Sequence, residues 1–136
     1  MTPADMAALH ASCFTTPRPW LAAEFAAIVS DPLCFTRVES DGFLIGRAVA
    51  GEAEILTLAV APDARRRGIG ARLVQGFLAE AQNRAATSVF LEVAANNQGA
   101  IGLYLQSGFA EVGVRRGYYT RLGSAAIDAI VMSRQL

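Results

Sequence analysis

The stretch from Asp63 to Leu73, DARRRGIGARL, sets three arginines ahead of two glycines spaced by one residue, then runs on into an apolar, helix-like segment. The chemistry this suits is anion binding. A helix start exposes unpaired backbone N–H groups and the positive end of the macrodipole. Gly68 and Gly70 carry no Cβ, so a ligand can come close to the backbone. Arg65, Arg66 and Arg67 add positive charge at the same spot, and the combination fits a pyrophosphate. Taken alone, the run would equally be a solvated patch before an ordinary helix. The strand ahead of it and the helix behind it favour phosphate.

Other chemistries lack their residues. All 12 basic residues are arginine, which excludes a Schiff-base lysine, a Walker-type phosphate lysine and a lysine general base. His10 is the single histidine. It excludes a His-rich metal site and is the one candidate for a Ser-His or Cys-His pair. Cys13 and Cys34 lie 21 residues apart without CxxC spacing and read as reduced, buried residues. The dinucleotide fingerprint comes nearer, since Gly68-Ile69-Gly70 follows a strand and Glu92 ends the next one, 24 residues after Gly68. However, Leu73 stands where the third glycine belongs, and the strand is the third of the chain rather than the opener of βαβ repeats.

The elements that must position these groups follow from capping and period. A length of 136 residues with 53% hydrophobic side chains suits one compact domain, 1–136, with a proper core. Thr2-Pro3-Ala4-Asp5 opens a helix in which Met6, Leu9 and Cys13 recur at helical spacing. A second helix is expected from about Trp20 to Val29, with Leu21, Phe25 and Ile28 on one face. Cys34 to Glu39, Phe43 to Ala50 and Glu54 to Val60 then read as an antiparallel meander. The helix after the glycines carries Leu73, Val74, Phe77, Leu78 and Ala81 on one stripe. Ser88 to Ala94 is a strand, Gln98 to Gln106 a short helix, and Phe109 to Tyr119 and Ala126 to Met132 two strands with a polar loop between. The order ααβββαβαββ gives an α/β class: one mixed, mostly antiparallel sheet flanked by helices, with a parallel pair around Gly68. Alternation along SVFLEVA puts Glu92 on a face with Phe90, opposite Val89, Leu91 and Val93. By spacing alone Glu92 is an edge or surface carboxylate, and Tyr104, after Ile101, is core packing.

Arg65-x-x-Gly68-x-Gly70 resembles the acetyl-CoA pyrophosphate loop of the GNAT superfamily of N-acetyltransferases, and the order of elements is similar as well. LTLAVAPDARRRGIGARL, LEVAANNQGAIGLYLQSGF, VRRGYY and IDAIVM resemble segments of the bacterial ribosomal-protein-alanine N-acetyltransferase family. They cover most of residues 56 to 133. Pro19-Trp20 looks like that family's Pro-Trp after the first helix. The resemblance implies acetyl-CoA as co-substrate, no metal, and direct attack by an amine in a ternary complex. It implies Glu92 as base and Tyr104 as acid. Leu58, Ala59 and Val60 would run along the pantetheine arm, an N–H among them serving the oxyanion. Arg65 to Arg67, Gly68, Ile69, Gly70 and Ala71 would hold the pyrophosphate, and Asn97 would contact the cofactor.

Departures mark the acceptor end. Ala94 stands where the family often has arginine, Asn96 where it has serine, and the first 50 residues are only loosely similar. Trp20, Tyr118 and Tyr119, with Arg115 and Arg116, are the candidates for an acceptor groove. The expected acceptor is a protein N-terminal α-amine of alanine type, such as that of a ribosomal protein. A lysine side chain or a small-molecule amine is the alternative within the class, and a non-catalytic acetyl-CoA-binding module the alternative outside it. Zero net charge and the lack of recurring basic–aromatic interleaving argue against direct nucleic-acid binding. No apolar run nears the roughly 18 residues that span a bilayer, and the N-terminus lacks a basic leader. The expectation is a cytoplasmic, non-membrane protein whose oligomeric state is open.

Overall fold

The computed structural model describes residues 1–15, 17–119 and 125–136. Among these the chain forms α1 (Pro3–Cys13), α2 (Ala22–Val29), β1 (Cys34–Glu39), β2 (Gly42–Val49), β3 (Glu52–Val60), α3 (Ile69–Asn83), β4 (Ser88–Ala94), α4 (Gln98–Gln106), β5 (Ala110–Tyr119) and β6 (Ile127–Gln135). The polar loop expected between the last two strands falls largely on 120–124, outside the described residues.

The strands make one sheet in the order β1-β2-β3-β4-β6-β5. The meander β1-β2-β3 is antiparallel as its turns dictate, and α3 carries the chain across to β4, which runs parallel to β3. Helices α3 and α4 cover one face. There Leu73, Val74, Phe77, Leu78 and Ala81 of α3 pack on Leu44, Ile55, Val89 and Leu91. Each large side chain so buried is worth roughly 1.5–3 kcal/mol, enough to fix which face α3 presents. Helices α1 and α2 cover the other face over β2 and β3, through Met6, Phe25, Phe43 and Ile45. No helix among the described residues is long and apolar enough to cross a membrane.

Thr2 caps α1 as its sequence requires, accepting from the Asp5 N–H while the Asp5 carboxylate accepts from the Thr2 N–H. The second helix starts later than its apolar spacing suggests. Trp20 donates its N–H to His10, and Leu21 stays extended as the cap, its N–H held by Glu24. Leu21 therefore points outward, 65% exposed, and leaves the buried face to Phe25 and Ile28. Strand β6 runs three residues past Met132 because β4 offers it partners as far as Ser88↔Gln135. Both cysteines are free, as expected, but half-buried rather than buried; the Cys13 thiol donates to the Val60 carbonyl.

Candidate active site

The site begins as an interruption of the sheet. Strands β3 and β4 pair only from Glu52↔Ser88 to Ile55↔Leu91, although β3 continues to Val60 and β4 to Ala94. The separation coincides with a bulge. Ile45 of β2 faces Thr57 and Gly46 faces Ile55, so Leu56 is an extra residue on β3. A bulge bends its strand and changes which face the following residues present. Before it, Ala53 and Ile55 pack toward α3; beyond it, Leu56 and Ala59 pack toward α1 and α2, and Thr57 bonds to α1. A cleft opens between the diverging strands, lined by Ile55 to Leu58 on one side and Leu91 to Ala94 on the other.

The floor of the cleft is a strand edge that has no partner strand among the described residues. The Ala61 N–H donates to the Asp41 carbonyl, so by antiparallel alternation the backbone groups of Ala59 also face β2. Those of Leu58 and Val60 face the cleft, where the Val60 carbonyl accepts from Cys13 and from the Arg65 Nε. Ala59, expected along the pantetheine arm, thus turns its N–H to β2 and buries its side chain, 2% exposed.

At the carboxyl end of β3 a short turn, Pro62–Ala64, leads into the arginines, and α3 begins at Ile69. Arg66 and Gly68 both hold left-handed backbone, with φ of 65° and 77°. Such turns gather N–H groups into an anion-binding concavity, and a non-glycine residue in that conformation marks strain kept for a use. Arg66 and Arg67 are exposed. Ile69 is buried, so it offers the site its backbone and gives the core its side chain, while Ala71 stays at the surface. Gly70 has a packing reason as well: a Cβ there would lie 2.9 Å from Leu103 of α4. Arg72 is committed elsewhere, forked onto Glu39.

Glu92 and Tyr104 line the same cleft, with Tyr119 and Asn97. The Glu92 side chain is 21% exposed and forms an ion pair with Arg115, Nε to Oε1 at 3.1 Å. The two meet because Arg115 pairs with Ala129 and Glu92 with Val131, on the same sheet face. Tyr104 is 5% exposed, its ring edge-on to Phe109, and burial pushes its phenol above the ordinary tyrosine range. Burial and the nearby Glu92 charge push Tyr119 up to about 12. Tyr119 is aimed by a break in the β5 register after Arg115, where Gly117 gives its N–H to the Asp128 carboxylate. Asn97 caps α4 with its side-chain oxygen, accepting from the Ala100 N–H, which leaves its amide nitrogen for a ligand. Tyr118 does not line the cleft. It is 49% exposed, edge-on to Tyr119 and beneath the Arg115 guanidinium. Arg116 is exposed too.

The opposite wall comes from the N-terminal segment: His10, Phe14, Pro17 and Trp20. Among the described residues His10 belongs to no Ser-His or Cys-His pair. It is 1% exposed, its Nε2 lies 2.9 Å from the Thr57 Oγ1, and its Nδ1 accepts from the Trp20 N–H at 3.0 Å. Residue type offers His10 only a Ser-His or Cys-His pair and offers nothing for Glu54, a half-buried carboxylate facing Phe90 across the β3–β4 pair. Burial and the Glu92 charge raise the Glu54 pKa, against the pull of Arg47 and Arg115. The signal available for Glu54 was its place on a mostly apolar strand, the same signal that Glu92 carries.

These parts fit a ligand with an extended polar arm ending in a pyrophosphate: an open strand edge, then a helix N-terminus ringed by arginine. Comparison with known proteins agrees. The Acetyltransferase (GNAT) family matches residues 4–109. The [ribosomal protein bS18]-alanine N-acetyltransferase of Escherichia coli K12 is 34% identical over 119 residues, covering 85% of this chain and 80% of its own. The N-alpha-acetyltransferase RimI of Mycobacterium tuberculosis is 35% identical over 137 residues, covering 94% and 83%. The crystal structure of the ribosomal-protein-S18-alanine N-acetyltransferase from Escherichia coli superposes with a TM-score of 0.83 at 30% identity, over 98% of this chain and 86% of that one. A matching family, matching relatives and a matching fold lead to one conclusion: the chain belongs to the Acetyltransferase (GNAT) family and is an N-acetyltransferase.

Proposed function

We propose that this chain transfers the acetyl group of acetyl-CoA to the N-terminal α-amine of a protein, with alanine as the first residue and a ribosomal protein as the acceptor. The observation that carries the reading is the placement of a carboxylate and a buried phenol in one cleft, floored by an open strand edge and headed by the arginine-rich start of α3. The E. coli relative, a [ribosomal protein bS18]-alanine N-acetyltransferase, supports this acceptor, and the M. tuberculosis relative, an N-alpha-acetyltransferase, supports the α-amine. Such an acceptor places the reaction in the cytoplasm.

Arg65, Arg66, Arg67 and the first N–H groups of α3, from Gly68 to Ala71, would hold the pyrophosphate. The cleft-facing backbone of Leu58 and Val60 would hold the pantetheine arm, and the free amide of Asn97 would add a donor. Bound there, acetyl-CoA supplies a thioester carbonyl to attack and a thiolate to leave. Glu92, oriented by Arg115, takes the proton that the acceptor amine sheds. The cleft-facing N–H groups of β3 donate to the oxygen on which charge develops, and they are worth most here because the strand already holds them in place. Tyr104 meets the leaving sulfur as an O–H donor, since burial keeps its proton on at any physiological pH. Trp20 and Tyr119, which both line the cleft, would flank the first residue of the acceptor.

The test is a competition read by mass spectrometry. The protein is incubated with acetyl-CoA and two peptides, one with a free N-terminal alanine and no lysine, the other with a blocked N-terminus and an internal lysine. Acetyl on the first alone is the expected result. Acetyl on the second would make the chain a side-chain acetyltransferase. Acetyl on neither, with coenzyme A still released in the presence of small amines, would refute the protein acceptor.

A further inference from the structure

The wall facing the acceptor and the strand that floors the cleft are separate parts of the chain. One buried side chain, His10, hydrogen-bonds to both. We propose that His10 is a positioning residue for acetyl transfer: it ties the N-terminal wall at Trp20 to the bulged edge of β3 at Thr57, and so sets the separation at which amine and thioester meet. The inference rests on the proposed function and adds to it the means by which the two substrates are held in register.

The tautomer follows from the contacts. The Trp20 N–H can only donate, so Nδ1 is the bare nitrogen, and Nε2 carries the hydrogen and donates to the Thr57 Oγ1. The ring has no freedom to turn. It stacks on Phe14 with centroids 4.3 Å apart and meets Trp20 and Phe25 at 5.4 Å. Those contacts come from the segment after α1 and from α2, so one imidazole on α1 gathers both about itself. Its anchor on β3 is no ordinary strand residue. Thr57 faces α1 because Leu56 bulges, and Leu58, the next residue, presents its backbone to the cleft. A shift of the imidazole therefore moves the acceptor wall relative to the strand that holds the donor. Misplacement of about 1 Å in a two-substrate site costs on the order of a hundredfold in rate.

Glu24 of α2 is the charged group that acts on His10, and it is forked onto Arg18. Burial outweighs it and holds the imidazole neutral, with a pKa pushed down to about 4, so the clamp is intact wherever the protein is folded near neutral pH.

The experiment compares wild type, Thr57→Val and Thr57→Ser as full chains, with the alanine-initiated peptide. Valine keeps the shape of threonine and removes the acceptor for Nε2–H; serine restores it. Two readouts are taken: steady-state kinetics for each substrate, and hydrogen exchange at the Trp20 amide, whose protection reports the bond to Nδ1. The expectation is that Thr57→Val lowers acceptor kcat/KM by about tenfold or more, leaves the acetyl-CoA KM within about twofold, and speeds Trp20 exchange, while Thr57→Ser restores all three. Wild-type acceptor kinetics in Thr57→Val would overturn the proposal, whether or not exchange changed. An equal loss for both substrates that serine failed to mend would overturn it too. If Thr57→Val does not fold, His10→Gln takes its place, since its amide can reach Thr57 but leaves the Trp20 N–H without its acceptor. If wild type ignores the peptide, it is the acceptor assignment that has failed, and the clamp is judged on exchange alone: Trp20 protection kept in Thr57→Val refutes it, protection lost upholds it.

Discussion

Mild acid should weaken this fold through one residue. In the unfolded chain His10 titrates near 6.5; in the folded protein burial holds it to about 4. Protonating it would also turn Nδ1 into a donor facing the Trp20 N–H. Between those two values the unfolded chain takes up a proton that the folded one refuses, so stability is complete above pH 6.5 and falls as pH drops toward 4. The whole gap corresponds to about 3 kcal/mol, and the part spent between pH 7.5 and 5 to about 2 kcal/mol. His10 is the only histidine, so no other side chain has an ordinary pKa inside that window. Glu54 acts in the opposite sense, because its raised pKa lets the folded state gain protons first. The assay must therefore be a difference: urea unfolding of wild type and of His10→Asn at pH 7.5, 6.5, 5.5 and 5. The expected result is a wild-type loss of about 2 kcal/mol more than the variant's across the series. Parallel pH profiles for the two proteins would refute the reasoning, because His10 would then titrate alike in both states.

Four further outcomes follow from the geometry. Glu92→Gln should lower kcat by about 10²–10⁴ and Tyr104→Phe by about 10–100, with acetyl-CoA affinity by calorimetry nearly unchanged; a matching loss of affinity would move both residues from chemistry to cofactor binding. Arg66→Gly should weaken acetyl-CoA binding, more at low salt than at high, without lowering the melting temperature. The left-handed strain it relieves, about 1–2 kcal/mol, exceeds the entropy cost of glycine, about 0.5–1 kcal/mol. Glu54→Gln should raise the melting temperature at pH 7 and lose that advantage on acidification toward the ordinary carboxylate range, since it removes a half-buried charge repelled by Glu92. Gly46→Ala should cost about 1–3 kcal/mol in urea unfolding, because its Cβ would come within 2.6 Å of Phe35 and 2.8 Å of Phe77, two rings already stacked.

Local signals were legible where one segment decides the outcome. Thr2 and Asp5 cap α1 by themselves, the α3 stripe needs only its own period, and the alternation of β4 put Glu92 opposite the core before any partner strand was known. The loop at Arg65–Gly70 was legible for the same reason, since glycine at left-handed φ and a helix start are local facts. Features that depend on two segments were not. The bulge at Leu56 is a count of residues on β3 against β2, and nothing in ILTLAV announces it. Leu21 sat at the right spacing for the α2 face, yet the tie between Trp20 and His10 set the helix start one residue beyond it. His10, Thr57 and Trp20 come from three places in the chain, and as types they are a buried histidine, a strand threonine and an aromatic. Tyr118 and Tyr119 differ only in which side of β5 each falls on, and that is decided by Gly117 and Asp128.

The short seam between β3 and β4 also bears on how this sheet assembles. With four parallel pairs joining three strands on one side to three on the other, the sheet is two ladders sharing a few rungs. The first ladder zips from adjacent turns. The second needs α4 and β5 made before β6 can return beside β4. Parallel pairing across a long crossover is the slowest kind of contact to close, so the seam is expected to form last and to open first. The weakest line in the molecule then runs straight out of its cleft. A ligand lying between the diverging strands would supply the missing rungs, and occupancy of the site and integrity of the sheet would become a single equilibrium.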